Sequence, residues 1–302
     1  MRHLFASRAL GVLTATALTV AAFVVPSQPL LAEDTDPERS SRIVAVGGSV
    51  TEVVFALGEE DRLVARDSTS TYPQEAIDLP DVGYIRALSP EGVMSVDPDL
   101  ILMLEGSGPQ EAVDVLKSSG IAIADVPEGF TAESIVAKVR AIGAALGVPD
   151  KAEKLSVQLE RDLEAAQVDA ASRASDLRVL FILSNRGGRI LASGADTAAD
   201  GIIELAGGTN AISDFSGYKQ LSDEAILSAA PDVVLMMDRG GNHGAGADEL
   251  FAHPALGQTP AGKSGNLIRM GGQYLLGFGP RTADAIRDLS AELSSIQGAD
   301  RS

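Results

Sequence analysis

The sequence predicts an α/β protein made of two similar lobes with mostly parallel sheets, joined by one long α-helix. Three observations carry this. Short apolar segments alternate with helical patterns on both sides of the middle, one segment recurs 133 residues later, and a stretch without strand signals lies between the copies.

In chain order, the front half offers apolar segments at Arg42–Val46, Val50–Leu57, Leu63–Ala65, Leu100–Leu104 and Ile121–Val126. The back half offers Arg178–Leu183, Arg189–Ala192, Gly201–Ala206, Asp232–Met237 and Asn266–Met270. Segments this short, strand and helix in turn, fit a sheet covered on both faces. The recurring unit is Ala87–Met103, which aligns without a gap on Gln220–Met236. Each copy reads as a short helix, a Pro-Asp turn and a buried strand. The pairs Gly83-Tyr84 and Gly217-Tyr218 precede the two copies, one residue out of register, so each lobe is expected to carry a Tyr-bearing loop at the same place in its sheet.

Between the copies, Thr131-Ala-Glu-Ser precedes apolar residues at helical spacing, Ile135, Val136, Val139, Ile142 and Leu146. After Pro149-Asp150 the pattern resumes through Leu155, Leu159, Leu163 and Ala166, which predicts one helix of about six turns over Lys151–Ala171. The expected domains are therefore a first lobe over 42–130, a helical linker over 131–172 and a second lobe over 173–297. A helical connection is stiff and predicts a small hinge motion.

Residues 1–32 read as a secretory signal peptide: Arg2 and Arg8 first, an uncharged run from Ala9 to Val25, then small residues before Glu33. Pro26 and Pro29 make the same stretch a poor membrane anchor. With no Cys anywhere in the chain, a lipid anchor, disulfides and thiolate metal sites are all excluded, so the mature chain is expected free in a periplasm, as a monomer. Acids outnumber Lys and Arg by 42 to 24, a surface that repels nucleic acid. The chain lacks a Gly-x-Ser-x-Gly elbow and a phosphate-binding glycine loop, which argues against a hydrolase or a nucleotide enzyme.

Three stretches, Arg42–Gly58, Leu79–Ser89 and Tyr274–Thr282, resemble the periplasmic haem-binding proteins of haem-uptake ABC transporters. That family sits within the helix-linked class that also holds vitamin B12 and siderophore binders. The first stretch is common to the class, and the other two resemble the haem branch. The resemblance implies a ligand cleft between the lobes, haem as the transported ligand, and no catalysis. It implies that the Tyr of Gly-Tyr-x-Arg, here Tyr84, ligates the iron and that Arg86 hydrogen-bonds to it. Ferric iron favours an anionic oxygen, and a phenol that titrates near pH 10 in water needs a nearby cation to ionise.

Tyr218 is expected to face the same cleft, packed on the porphyrin or serving as filler. Arg239, just after a strand's carboxyl end, is the first candidate for a haem propionate, and Arg186 the second. His243 is open between a second axial nitrogen and a solvated loop residue. Tyr72 reads as packing and is the next ligand candidate after Tyr84; Arg281 and His253 read as structural. The resemblance also implies docking on permease subunits through one acid per lobe, assigned by local alignment to Glu91 and Glu204. A siderophore or corrinoid binder on the same scaffold is the rival reading, and a hydrolase the rival from another class.

Overall fold

The computed structural model describes residues 40–173, 176–238 and 246–300. Among them, β1 (Ile43–Val46), α1 (Gly48–Ala56), β2 (Leu63–Arg66), α2 (Pro90–Met94), β3 (Leu100–Leu104), α3 (Gln110–Ser118) and β4 (Ala122–Val126) form the first lobe. Its sheet runs β2-β1-β3-β4, and every pairing is parallel. Two helices follow, α4 (Ala132–Ala145) and α5 (Pro149–Ser172).

The second lobe contains β5 (Arg178–Arg186), β6 (Arg189–Ser193), α6 (Ala198–Leu205), β7 (Thr209–Asn210), β8 (Tyr218–Gln220) and α7 (Asp223–Ala229). It continues with β9 (Val233–Asp238), α8 (Ala247–Phe251), α9 (Pro260–Ser264), β10 (Leu267–Gly271), α10 (Gly272–Leu276) and α11 (Thr282–Asp300). Its sheet runs β10-β9-β5-β6-β8, with β7 beside β5. This sheet is mixed, because β6 returns antiparallel to β5 through a turn at Gly187 and Gly188 and β8 pairs antiparallel to β6. Both turn glycines have positive φ, the backbone that a tight hairpin requires and that side chains resist.

The strands are apolar along their whole length because both sheet faces are covered. In β1 and β3, Ile43, Ala45, Leu100 and Leu102 face one way, while Val44, Val46, Ile101 and Met103 face the other, into a separate cluster with α2 and α3 residues. In the second lobe Val179, Phe181, Val233 and Leu235 face inward, and Leu180, Ile182, Val234 and Met236 face outward. The inner faces of both sheets belong to one continuous core with Val139 and Ile142 of α4, Leu159 and Leu163 of α5, and Ile286 and Leu289 of α11. Separating the lobes would open that shared core, so the two sheets are held as one compact unit.

The linker follows its sequence signals. Thr131 accepts a hydrogen bond from the Ser134 amide and caps α4. Pro149 occupies the first turn of α5, where its missing N–H costs nothing. The 24 residues of α5 make a rod of about 36 Å. No helix among the described residues is long and apolar enough to cross a membrane.

Candidate ligand cleft

The 133-residue repeat has a local physical cause. In the first copy Ser89 caps α2 by accepting from the Gly92 amide; in the second, Ser222 caps α7 by accepting from the Ala225 amide. Each short helix then turns through Pro-Asp into a buried strand, β3 or β9. The same chemistry at the same offset builds both lobes.

Gly83-Tyr84 lies in the loop leading to α2. Arg66 and Val82 exchange backbone bonds with Pro80 and Arg66, and the Ser68 amide donates to the Gly83 carbonyl at 2.9 Å, which fastens the loop to the segment after β2. On its other side, the Gly108 amide donates to the Ile85 carbonyl and the Leu88 amide donates to the Gly108 carbonyl. Tyr84 is therefore held from two directions while its side chain stays 48% exposed. Arg86 is exposed too, and its Nη1 comes 4.0 Å from the point where a Cβ on Gly106 would sit. A Cβ at Gly106, whose φ is +80°, would meet that guanidinium at ordinary contact distance. The loop Gly106–Pro109 thus lines the same space as Arg86.

Tyr218 opens β8, where it stands opposite Ser193 of β6. The Thr197 and Ser193 hydroxyls, Arg86 and Tyr84 all act on its phenol. Tyr84 and Arg86 of the first lobe therefore lie within electrostatic reach of the Tyr218 phenol of the second. Burial pushes the Tyr218 phenol above its usual range; the Thr197 and Ser193 hydroxyls and the Arg86 charge oppose that rise, and Tyr84 adds to it. Tyr218 consequently stays a neutral phenol, whereas Tyr84 stands open to a ligand next to a cation.

Other residues singled out by sequence have mixed places. Tyr72 is 42% exposed, with the Arg281 guanidinium 3.5 Å above its ring. Tyr274 donates to Asp288 at 2.8 Å, and desolvation together with that bond drives its phenol far above the usual range. His253 pairs its Nε2 with the Gly188 carbonyl and accepts from the Ala255 amide at Nδ1, which ties the β5–β6 turn down as a structural histidine would. Arg186 ends β5, exposed, opposite Arg189. Arg239, His243 and the signal segment 1–32 lie outside the described residues. Among the described residues no group of three His, Asp or Glu side chains converges as a bare metal ion requires.

Of the two acids assigned to permease docking, Glu91 is exposed in the first turn of α2, accepts from Ser89 and is held below its usual pKa by backbone and Ser89 hydrogen bonds. Glu204 is exposed near the end of α6. The repeat gives Glu91 a different counterpart. Glu224 lies 133 residues on, exposed in the first turn of α7, its pKa lowered by the backbone and by Ser222 in the same way. The offset alone pointed to it.

The periplasmic binding protein family model matches residues 43–274. The structure is similar to the periplasmic heme-binding protein BhuT solved with two hemes, at 40% identity and a TM-score of 0.80, covering 84% of this chain and 98% of that one. It is similar to the periplasmic heme-binding protein RhuT from Roseiflexus sp. RS-1, at 36% identity and a TM-score of 0.81, covering 85% and 99%. By sequence it is 27% identical to an uncharacterized ABC transporter substrate-binding lipoprotein, YvrC of Bacillus subtilis, over 86% of this chain and 82% of the relative. It is 22% identical to a vitamin B12-binding protein of Vibrio parahaemolyticus, over 86% and 92%. The chain belongs to the periplasmic binding protein family and is a periplasmic substrate-binding protein of ABC transport, not an enzyme.

Proposed function

We propose that this protein captures haem in the periplasm and delivers it to an inner-membrane ABC importer. The observation that carries this reading is that the Tyr218 phenol of the second lobe lies within electrostatic reach of both Tyr84 and Arg86 of the first, beside the Gly106–Pro109 loop that Arg86 approaches. A flat ligand held between two aromatic rings, with iron at its centre, needs one anionic oxygen and one nearby positive charge. Tyr84 supplies the oxygen, and Arg86 stabilises the phenolate that forms when iron binds. Tyr218 stays protonated and packs on the opposite side. Arg239 is the propionate partner, and His243 sits on the same following segment. The two heme-binding neighbours above 35% identity support haem over other ligands.

A corrinoid is the second reading, favoured by the vitamin B12-binding relative. Gel filtration of the protein with haemin and, separately, with cyanocobalamin distinguishes the two. Haemin co-eluting at a stable ratio with cobalamin left behind supports the proposal; the reverse pattern replaces it with the corrinoid reading.

Delivery requires docking on two permease subunits, and we assign this to Glu91 and Glu224, related by the repeat and held ionised by matching serine caps, in place of Glu91 and Glu204. Paired acids on like-built ends of the molecule meet paired cations and fix the register of docking.

A further inference from the structure

Most charged groups of this acidic chain sit on its surface, but Glu52 and Lys138 are buried, and each pairs with a partner about a quarter exposed, Arg281 and Glu128. Glu52 of α1 is 6% exposed by side chain, and Arg281, from the segment leading into α11, binds it through its backbone amide, Nε and Nη2 at 3.1, 3.0 and 2.9 Å. Lys138 of α4 is fully buried and donates to Ser49 Oγ, to Glu128 Oε1 at 2.8 Å and to the Phe278 carbonyl. Burial pulls the Lys138 ammonium below its usual range, opposed by Glu128 and Glu52. Two acids and two bases thus balance where first lobe, linker and second lobe meet.

The cluster reaches toward the cleft. Arg281 lies 3.5 Å over the Tyr72 ring and 5.2 Å from that of Tyr274. Gln273 of α10 accepts from the Thr71 amide at 2.7 Å and from its hydroxyl, and donates to the carbonyls of Gly48 and Tyr72. Gly48 is a glycine for this reason: a Cβ there would stand 3.0 Å from the Gln273 side chain and 2.8 Å from the Thr69 carbonyl. The segment so gripped, Ser68–Tyr72, is the one whose Ser68 amide holds Gly83, next to Tyr84.

We propose that Arg281, fixed by Glu52, is a positioning residue. Together with Gln273 it grips the Thr71-Tyr72 segment from the opposite lobe and so sets where the Tyr84 loop stands relative to Tyr218. The fork of an arginine suits this place because it makes two parallel bonds to a carboxylate while its flat face covers a ring. The proposal deepens the haem reading in its consequence for binding, but the geometry it describes belongs to the ligand-free protein.

The absence of cysteine makes the test direct, since spin labels attach only where cysteines are introduced. With Glu111→Cys on α3 and Leu227→Cys on α7, both exposed, the label-to-label distance is read by pulsed electron resonance without ligand. Arg281→Met and Glu52→Gln are expected to broaden the distance distribution about twofold, with Arg281→Lys between them and the native protein. Gln273→Leu, which keeps both members of the ion pair and removes the 3.3 Å bond from Gln273 Nε2 to Glu52 along with the grip on Thr71, gives a smaller broadening and serves if the first two fail to fold. Native width in every folded variant overturns the proposal. Broadening in a protein that binds no haemin leaves the positioning role standing and removes the haem reading instead.

Discussion

The two lobes share a scaffold and differ in what they mount on it. In the first, Tyr84 follows a glycine of φ +105° in a loop outside the sheet, with Arg86 two residues on. In the second, Tyr218 follows a glycine of φ +81° but enters a strand, its phenol acted on by Thr197 and Ser193, and the next cation, Lys219, lies 4.8 Å over the Phe215 ring. Repetition therefore preserved the capped helix, the Pro-Asp turn and the buried strand, and left the tyrosines to diverge. Tyr84 is the more exposed of the two, with a guanidinium two residues on, and the Tyr218 phenol is the one that burial raises above its usual range.

The largest effect expected from this asymmetry is on affinity. Loss of an outer partner of a metal ligand commonly costs about 10- to 100-fold, so Tyr84→Phe, which removes the ligand itself, should weaken haemin binding by more than about 100-fold in a spectroscopic titration. Arg86→Ala should cost about 10- to 100-fold, and Tyr218→Phe less than about tenfold. Equal losses from the two tyrosines would erase the distinction between the lobes.

The docking acids make the opposite prediction, of symmetry. Glu91→Lys and Glu224→Lys should each reduce uptake through the importer, reconstituted in vesicles, by about tenfold, as reversal of a complementary charge does. Glu204→Lys should leave uptake near native. A loss confined to Glu91→Lys and Glu204→Lys would restore the pairing drawn from local alignment.

Titration sharpens the contrast further. Tyr218 and Tyr274 have phenols raised above their usual value, so their protonated forms stabilise the fold fully below about pH 10, and that stability is lost as pH rises through the raised values. In an ultraviolet phenolate titration, Tyr218→Phe and Tyr274→Phe should each remove amplitude from the upper end of the transition. Amplitude lost from the lower end instead would mean these phenols are not held protonated.

The smallest effect concerns the scaffold. Ser89→Ala and Ser222→Ala should each lower stability by about 1 kcal/mol in urea unfolding, the usual cost of a lost helix cap, and by similar amounts if the two copies are energetically alike.

Much of this was legible in the sequence because it is local. Thr131 caps α4 where its Ser-Thr-rich start suggested, and α5 starts two residues before the predicted span and ends one after it; β1, β3 and β4 fall within the apolar segments, and β2, β5, β6, β9 and β10 overrun theirs by one to three residues. The repeat offset also singles out Glu224, which holds the place of Glu91 in the second copy, beside the Glu204 given by local alignment. What escaped was non-local. Arg281 reads as a lone structural arginine until Glu52, 229 residues away, is brought against it by the fold. The hairpin β5–β6 and the short β8 depend on Gly187-Gly188 and on pairing partners rather than on apolar pattern, so Arg186, the second propionate candidate, proves to end a strand beyond its predicted apolar segment. Two stretches that carry the family resemblance, Arg42–Gly58 and Tyr274–Thr282, meet through the Glu52–Arg281 pair.

The central claim is that Tyr84 alone gives its oxygen to ferric iron, and the absorption spectrum of the haemin complex reads it directly. Native protein and Tyr218→Phe should both show the phenolate-to-iron charge-transfer band, and Tyr84→Phe should lack it. The band persisting in Tyr84→Phe, or missing from the native complex, would contradict the account.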